Sequence, residues 1–82
     1  MDWKVYLVKC ADNSLYCGIT NDIIGRITKH NAGKGAKHTQ SRLPVELMAA
    51  SKELSRSGAL TLEHYIKQQP AEEKIDELKR ST

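Results

Sequence analysis

The sequence predicts an α+β fold: a three-stranded antiparallel sheet flanked by helices, in the order β-β-α-β-α-α, as a single domain over residues 1–82. Three features point there. Two short segments of alternating polarity, Trp3 to Cys10 and Leu15 to Thr20, are separated by turn-forming residues. Apolar residues then recur at helical spacing from Ile23 to Ile27 and from Ala59 to Ile66. Between these, Pro44 restarts the chain into an apolar segment, Val45 to Ala50, of a length that suits a third strand.

In the first segment Trp3, Val5 and Leu7 alternate with Tyr6 and Val8. Ala11-Asp12-Asn13-Ser14 follows as a turn, because Asp, Asn and Ser side chains bond the adjacent backbone and Asn tolerates positive φ. A three-residue loop, Asp12 to Ser14, sets Val8 opposite Gly18 and Tyr6 opposite Thr20. Tyr6, Val8, Tyr16 and Gly18 then share one face, and Trp3, Val5, Leu7, Cys17 and Ile19 the other. A two-residue loop shifts the pairing by one and separates the tyrosines. The odd loop is favoured, since it gathers the apolar residues on one side. In that register Cys10 and Cys17 point opposite ways, which argues against a disulfide between them.

Asn21 or Asp22 caps a helix running to about Asn31, with Ile23, Ile24 and Ile27 as its buried stripe. Asp22, Arg26 and His30 follow at i, i+4 and i+8, a polar row beside that stripe. Asn31 to Arg42 contains Ala32-Gly33-Lys34-Gly35-Ala36-Lys37, too rich in glycine for a regular element, and reads as a mobile basic loop. A second long helix opens at Ser55 to Ser57 and extends to about Gln69. Pro70 stands at or near the first position of a last helix, where its missing N–H matters least. Ile75 and Leu78 are that helix's only apolar contacts, so loose docking is expected.

A charged fraction of 28% and a hydrophobic fraction of 39% are those of an ordinary soluble chain. No run approaches the ~20 apolar residues of a membrane span. The absence of a signal-peptide pattern, with two cysteines outside metal-ligand spacing, implies free thiols and a cytoplasmic location. The net charge of +3 permits contact with a polyanion without requiring it. Its distribution says more. From Arg26 to Arg42 every formal charge is positive (Arg26, Lys29, Lys34, Lys37, Arg42), and His30 and His38 lie among them. The tail from Glu72 mixes signs and reads as a solvated helix.

Glu63 falls in one stripe with Ala59, Leu62 and Ile66, an inward position that is costly for a carboxylate unless it is paired or bound to a cation. Two readings stay open. It pairs with Arg26 or Lys67, or it ligates one hard cation such as Mg²⁺ or Mn²⁺, with waters and a phosphate completing the shell. Singly, Tyr6 and Tyr16 suit half-buried packing, Arg26 a surface charge, and His30 a partner for a helix C-terminus. Together with one carboxylate they suit phosphate-ester chemistry.

Lys4-Val5-Tyr6, then Tyr16-Cys17-Gly18, then Arg26 with His30, then Glu63, resembles the GIY-YIG nuclease domain. The small single-domain bacterial members also carry a tract similar to His30-Asn31-Ala32-Gly33-Lys34-Gly35-Ala36-Lys37. The resemblance covers Trp3 to Lys67 and implies metal-dependent hydrolysis of a DNA strand, in branched, nicked or single-stranded forms. It implies that Tyr6 is a general base or water-positioning phenol, and that Tyr16 and Gly18 are the ends of the second motif. Arg26 would stabilise charge on the attacked phosphate, His30 would fill a helix position used for His or Tyr, and Glu63 would bind the metal. Lys67 matches a lysine common in the small members. Lys4 and Cys17 depart from the signature's first glycine and central isoleucine, and His38 stands where many small members have an aromatic residue.

A phenol of ordinary pKa ~10 needs nearby cations before it acts as a base near neutrality. Arg26, the metal and His30 are expected to provide that. A second functional class stays open: a catalytically weak nucleic-acid-binding or partner-recruiting module. Lys34, Lys37, His38, Arg42 and Lys67 would carry its phosphate contacts. Nuclease domains of this kind usually join a separate DNA-binding module, so a protein partner supplying DNA binding is a further expectation.

Overall fold

Val5 to Val8 are fully buried, and the strand that contains them is the middle one of the sheet. In the computed structural model, which describes residues 2–81, the strands are β1 (Lys4–Lys9), β2 (Leu15–Thr20) and β3 (Glu46–Ala50), in spatial order β2-β1-β3 and antiparallel throughout. The helices are α1 (Ile23–Asn31), α2 (Lys37–Gln40), α3 (Arg56–Lys67) and α4 (Ala71–Arg80). The expected order is present, with α2 as an additional short helix. No helix among the described residues is long and apolar enough to cross a membrane.

The β1–β2 hairpin keeps the expected faces in a different register. Tyr6 pairs with Gly18 and Val8 with Tyr16, so the loop is Ala11 to Asn13 instead of Asp12 to Ser14. Its geometry gives the reason. Asn13 N donates to Cys10 O at 2.9 Å, and Asn13 adopts a left-handed φ of 69°. Cys10 N then donates to Ser14 O at 2.8 Å, while Asp12 Oδ1 receives both Ser14 N and Ser14 Oγ. The carboxylate holds Ser14 at the strand end and completes the turn one residue early. A register displaced by two preserves side-chain parity, which is why the faces survive.

Helices cover both faces. On one, Val5, Leu7 and Cys17 pack with Ala59 and Ile66 of α3 and Leu78 of α4. On the other, Tyr6, Val8 and Cys10 pack with Val45, backed by Ile23 and Ile27 of α1. Cys10 and Cys17 are free and buried on opposite faces.

Two expectations about packing are corrected. Ile24 is not part of the buried stripe of α1: it is 80% exposed, because only Ile23 and Ile27 point at the sheet. Helix α4 is not loosely docked. Leu78 is completely buried, and Lys74 Nζ donates to the C-terminal carbonyls of α3 at Ile66 and Lys67, 3.0 and 2.9 Å away. Tyr65 also donates to Glu77 across the two helices at 2.8 Å. One well-placed leucine and a cation on unsatisfied carbonyls suffice where the apolar count is low.

Candidate active site

Tyr6 enters the site from β1, Tyr16 from β2, and Arg26 and His30 from successive turns of α1. Asp22 caps that helix, its Oδ1 accepting from Gly25 N at 3.1 Å, which sets the rotational phase that aims Arg26 and His30 at the sheet. Gly18 stands opposite Tyr6, whose ring lies across it: a Cβ there would come within 2.7 Å of the Tyr6 hydroxyl. Gly35 serves His30 in the same way, since a Cβ at that position would overlap the imidazole. The ring centroids of Tyr6 and Tyr16 are 6.3 Å apart, and both rings meet His30 edge-on.

The hydrogen bonds in this cluster have a determinable direction. Thr39 Oγ1 donates to Ala36 O at 2.9 Å, so toward His30 Nδ1, 2.8 Å away, it acts as the acceptor. Nδ1 therefore carries the ring proton. Burial, reinforced by the Arg26 charge, pushes the His30 pKa down, so the ring is neutral and Nε2 holds a lone pair. The Tyr6 hydroxyl, 2.9 Å from Nε2, donates to it and accepts from Arg26 Nε at 3.2 Å. Proton direction thus runs from Arg26 through Tyr6 to His30.

The expectation that neighbouring cations lower the Tyr6 pKa is not met by the protein alone. Burial raises it and outweighs the opposing hydrogen bond and charge of Arg26. Arg26 is correspondingly held charged by the tyrosine hydroxyls. Tyr6 is fully buried, whereas Tyr16 is only partly buried.

The basic tract is more structured than a mobile loop. Residues 37–40 form α2, Thr39 is buried, and Asn31 anchors the following chain by accepting from Val45 N at 2.7 Å. His38 stacks on Tyr16 with centroids 5.9 Å apart and its Nε2 3.3 Å from Ser14 Oγ. Arg42 pairs with Asp12 at 2.9 Å and donates to His38 O at 2.6 Å, which ties the tract to the hairpin. Lys34 and Lys37 are exposed and carry no ion pair among the described residues. Sequence reasoning missed Thr39, Asn31 and Asp12 as organisers of this region. No local pattern marks a threonine whose partner is nine residues away.

Glu63 does not join the tyrosine cluster directly. It projects from α3 on the Cys17 face of the sheet, 17% exposed in its side chain, with Lys67 Nζ 3.4 Å from Oε2. Its charge, secondary to burial, helps push the Cys17 thiol up to about 12. Of the partners weighed for it, Lys67 is the one present. No group of three His, Cys, Asp or Glu side chains able to hold a metal occurs among the described residues. One hard carboxylate fits Mg²⁺ or Mn²⁺, which retain waters and take phosphate oxygens, and does not fit a fully ligated zinc site. β2 is an edge strand of the sheet. A groove of about 580 Å³ passes around this edge and is lined by both Arg26 and Arg56.

A model of the GIY-YIG catalytic domain matches residues 2–76. The UPF0213 protein of Nitratidesulfovibrio vulgaris is 44% identical over 73 residues, which are 89% of this chain and 66% of that protein. The UPF0213 protein of Staphylococcus haemolyticus is 48% identical over 71 residues, 87% of each chain. The solution NMR structure of the UPF0213 protein BH0048 from Bacillus halodurans is 39% identical, with a TM-score of 0.55 over 90% of this chain and 79% of that one.

Proposed function

This chain belongs to the GIY-YIG catalytic domain family, and from that membership we propose that it hydrolyses phosphodiester bonds of DNA with one divalent cation. The observation that carries the reading is the directed chain Arg26–Tyr6–His30–Thr39 beside a partly buried second phenol, Tyr16. Arg26 Nε occupies the position from which a donor reaches the Tyr6 hydroxyl. When a phosphate draws the guanidinium toward its own oxygens, a water takes that position and donates to Tyr6.

The proton balance then closes. The water oxygen forms a bond to phosphorus, its proton passes to the Tyr6 oxygen, and the original phenolic proton passes to His30 Nε2. The bond from phosphorus to the leaving sugar oxygen breaks, and that oxygen gains a proton from solvent. Moving both protons together spares Tyr6 from existing as a phenolate, the form its burial disfavours. Arg26 offsets the negative charge growing on the phosphoryl oxygens, and Tyr16 donates to the same group. Glu63 is the residue that would hold Mg²⁺ or Mn²⁺, which supplies Lewis-acid stabilisation of the phosphate when bound. Lys34 and Lys37 contribute non-specific attraction to the DNA backbone, and a protein partner would add substrate selection.

The test is cleavage of branched, nicked and single-stranded DNA with added Mg²⁺ or Mn²⁺, for the native chain and for Glu63→Ala, Arg26→Ala and Tyr6→Phe. Each variant is expected to lose activity by about a hundredfold or more while retaining its fold. Cleavage that persists in Glu63→Ala would remove the metal assignment. Metal-independent DNA binding with no cleavage by the native chain would favour the binding module instead.

A further inference from the structure

The groove around the free end of β2 is not accounted for by the hydrolytic chemistry. It runs between the end of β2 and the first turns of α1 and α3, and Trp3, Ile19, Thr20, Arg26, Lys29 and Arg56 form most of its wall. Resting on the reading of the neighbouring site as one that cleaves DNA, we infer that this groove holds the nucleotide next to the attacked phosphate, with Arg56 and Lys29 as its phosphate contacts.

Size and position come first. About 580 Å³ lies within the range of pockets that hold small ligands, and a nucleotide is of that size. Arg26 belongs to both places: its Nε donates to Tyr6, and its side chain lines the groove. A strand whose phosphate engages Arg26 therefore has its next unit at the groove entrance.

Charge selects an anion. Arg26, Lys29 and Arg56 line the groove, and none of them has an ion pair among the described residues. The one carboxylate in the lining, Asp22, already accepts from Gly25 N as the helix cap. Arg56 is the most telling of the three. It is the first residue of α3, where the helix dipole opposes a cation, and the first turn contains no acidic residue to offset it.

Something else fixes its place. The Arg56 guanidinium carbon lies over the Trp3 ring, 5.4 Å from its centroid. Trp3 is itself pinned, its N donating to Leu54 O at 3.0 Å and its O accepting from Leu54 N at 2.7 Å. A guanidinium held over an indole, with no ion pair among the described residues, is pre-arranged for a phosphate. The exposed cation–π contact is by itself a weak one. That is a small return for a cation at the wrong end of a helix.

The probe is a 5′-phosphorylated thymidine dinucleotide titrated into the full chain and followed by NMR at the Trp3 indole N–H. Dose-dependent movement of that signal is expected, together with the Ile19 and Thr20 amides. Arg56→Gln and Lys29→Gln, both at exposed positions, should each raise Kd by about tenfold, the loss of one charge-assisted contact. Arg56→Lys should recover most of the affinity. With a longer single-stranded oligonucleotide, each charge removed should lower the salt dependence of binding by about one in the log–log slope. A stationary Trp3 signal, or a native Kd in both glutamine variants, overturns the inference. Glu63→Ala separates it from the proposed chemistry: that variant should bind the dinucleotide normally while failing to cleave. Native cleavage with an unchanged KM in Arg56→Gln removes the groove and leaves the hydrolase standing.

Discussion

The Tyr6 hydroxyl lies 2.9 Å from His30 Nε2, and the direction of its proton is settled on the far side of the imidazole ring. There Thr39 Oγ1, already donating to Ala36 O, can only accept from Nδ1. A residue that never faces solvent thus decides whether the ring nitrogen next to Tyr6 is a base.

Replacing Thr39 with Val removes that acceptor and leaves the buried Nδ1–H unpaired, a cost of about 1–3 kcal/mol. The ring should then populate the other tautomer, which ¹⁵N NMR of His30 reads directly. Thr39→Ser should restore both the native tautomer and the stability.

The pH dependence follows from the depressed His30 pKa. Tyr6, Tyr16, Arg26 and Thr39 face the ring, and of these only Arg26 is charged. The unfolded imidazole, with its ordinary value of 6.5, takes up a proton before the folded one does. As the pH falls below that value the unfolded state binds more protons, so stability is complete above it and declines toward the folded pKa. Urea unfolding across this range should show the decline in the native chain and a flatter profile in His30→Gln.

Gly18→Ala places a methyl group against the Tyr6 hydroxyl and ring. Tyr6 cannot retreat, because it is fully buried and bonded to His30 and Arg26. The expected destabilisation is about 1–3 kcal/mol, measured by urea unfolding, with loss of the Tyr6–His30 contact seen in ring chemical shifts.

Cys17 should be inert. Its thiol is buried and pushed up to about 12, with Glu63 adding to the effect. Iodoacetamide should modify it only through unfolding, so its rate should follow urea concentration. Rapid alkylation under native conditions would contradict the packing of α3 over β2.

Leu78→Ala tests the docking of α4. Deleting a fully buried leucine side chain costs about 2–5 kcal/mol, and hydrogen exchange at α4 amides should accelerate by the corresponding factor.

Much of this molecule was legible from local pattern. The alternation of Trp3, Val5 and Leu7 against Tyr6 and Val8 was enough to place the tyrosines together, even though the loop lay one residue away from its expected position. Asp22 as a cap and the row Arg26–His30 followed from helical spacing. Ile24 was misread, because an apolar residue at the rim of a stripe looks the same as one at its centre. Helix α2 was missed because Gly33 and Gly35 mask a short turn whose stability comes from Thr39 and Arg42.

The sequence alone determined the three strands and the long helices, the faces of the hairpin side chains, and which family the chain belongs to. The elements and faces follow from backbone periods of two and 3.6 residues, which each segment carries within itself, and the family from the motifs around Tyr6, Tyr16, Arg26 and Glu63. Only the tertiary structure decided that Tyr6 donates to His30, that Arg42 is tied to Asp12, that Glu63 stands across the sheet edge from the phenols, and that Arg56 rests on Trp3. Such pairings depend on how whole elements pack, since a donor meets an acceptor far along the chain only after the core has fixed the distance between them.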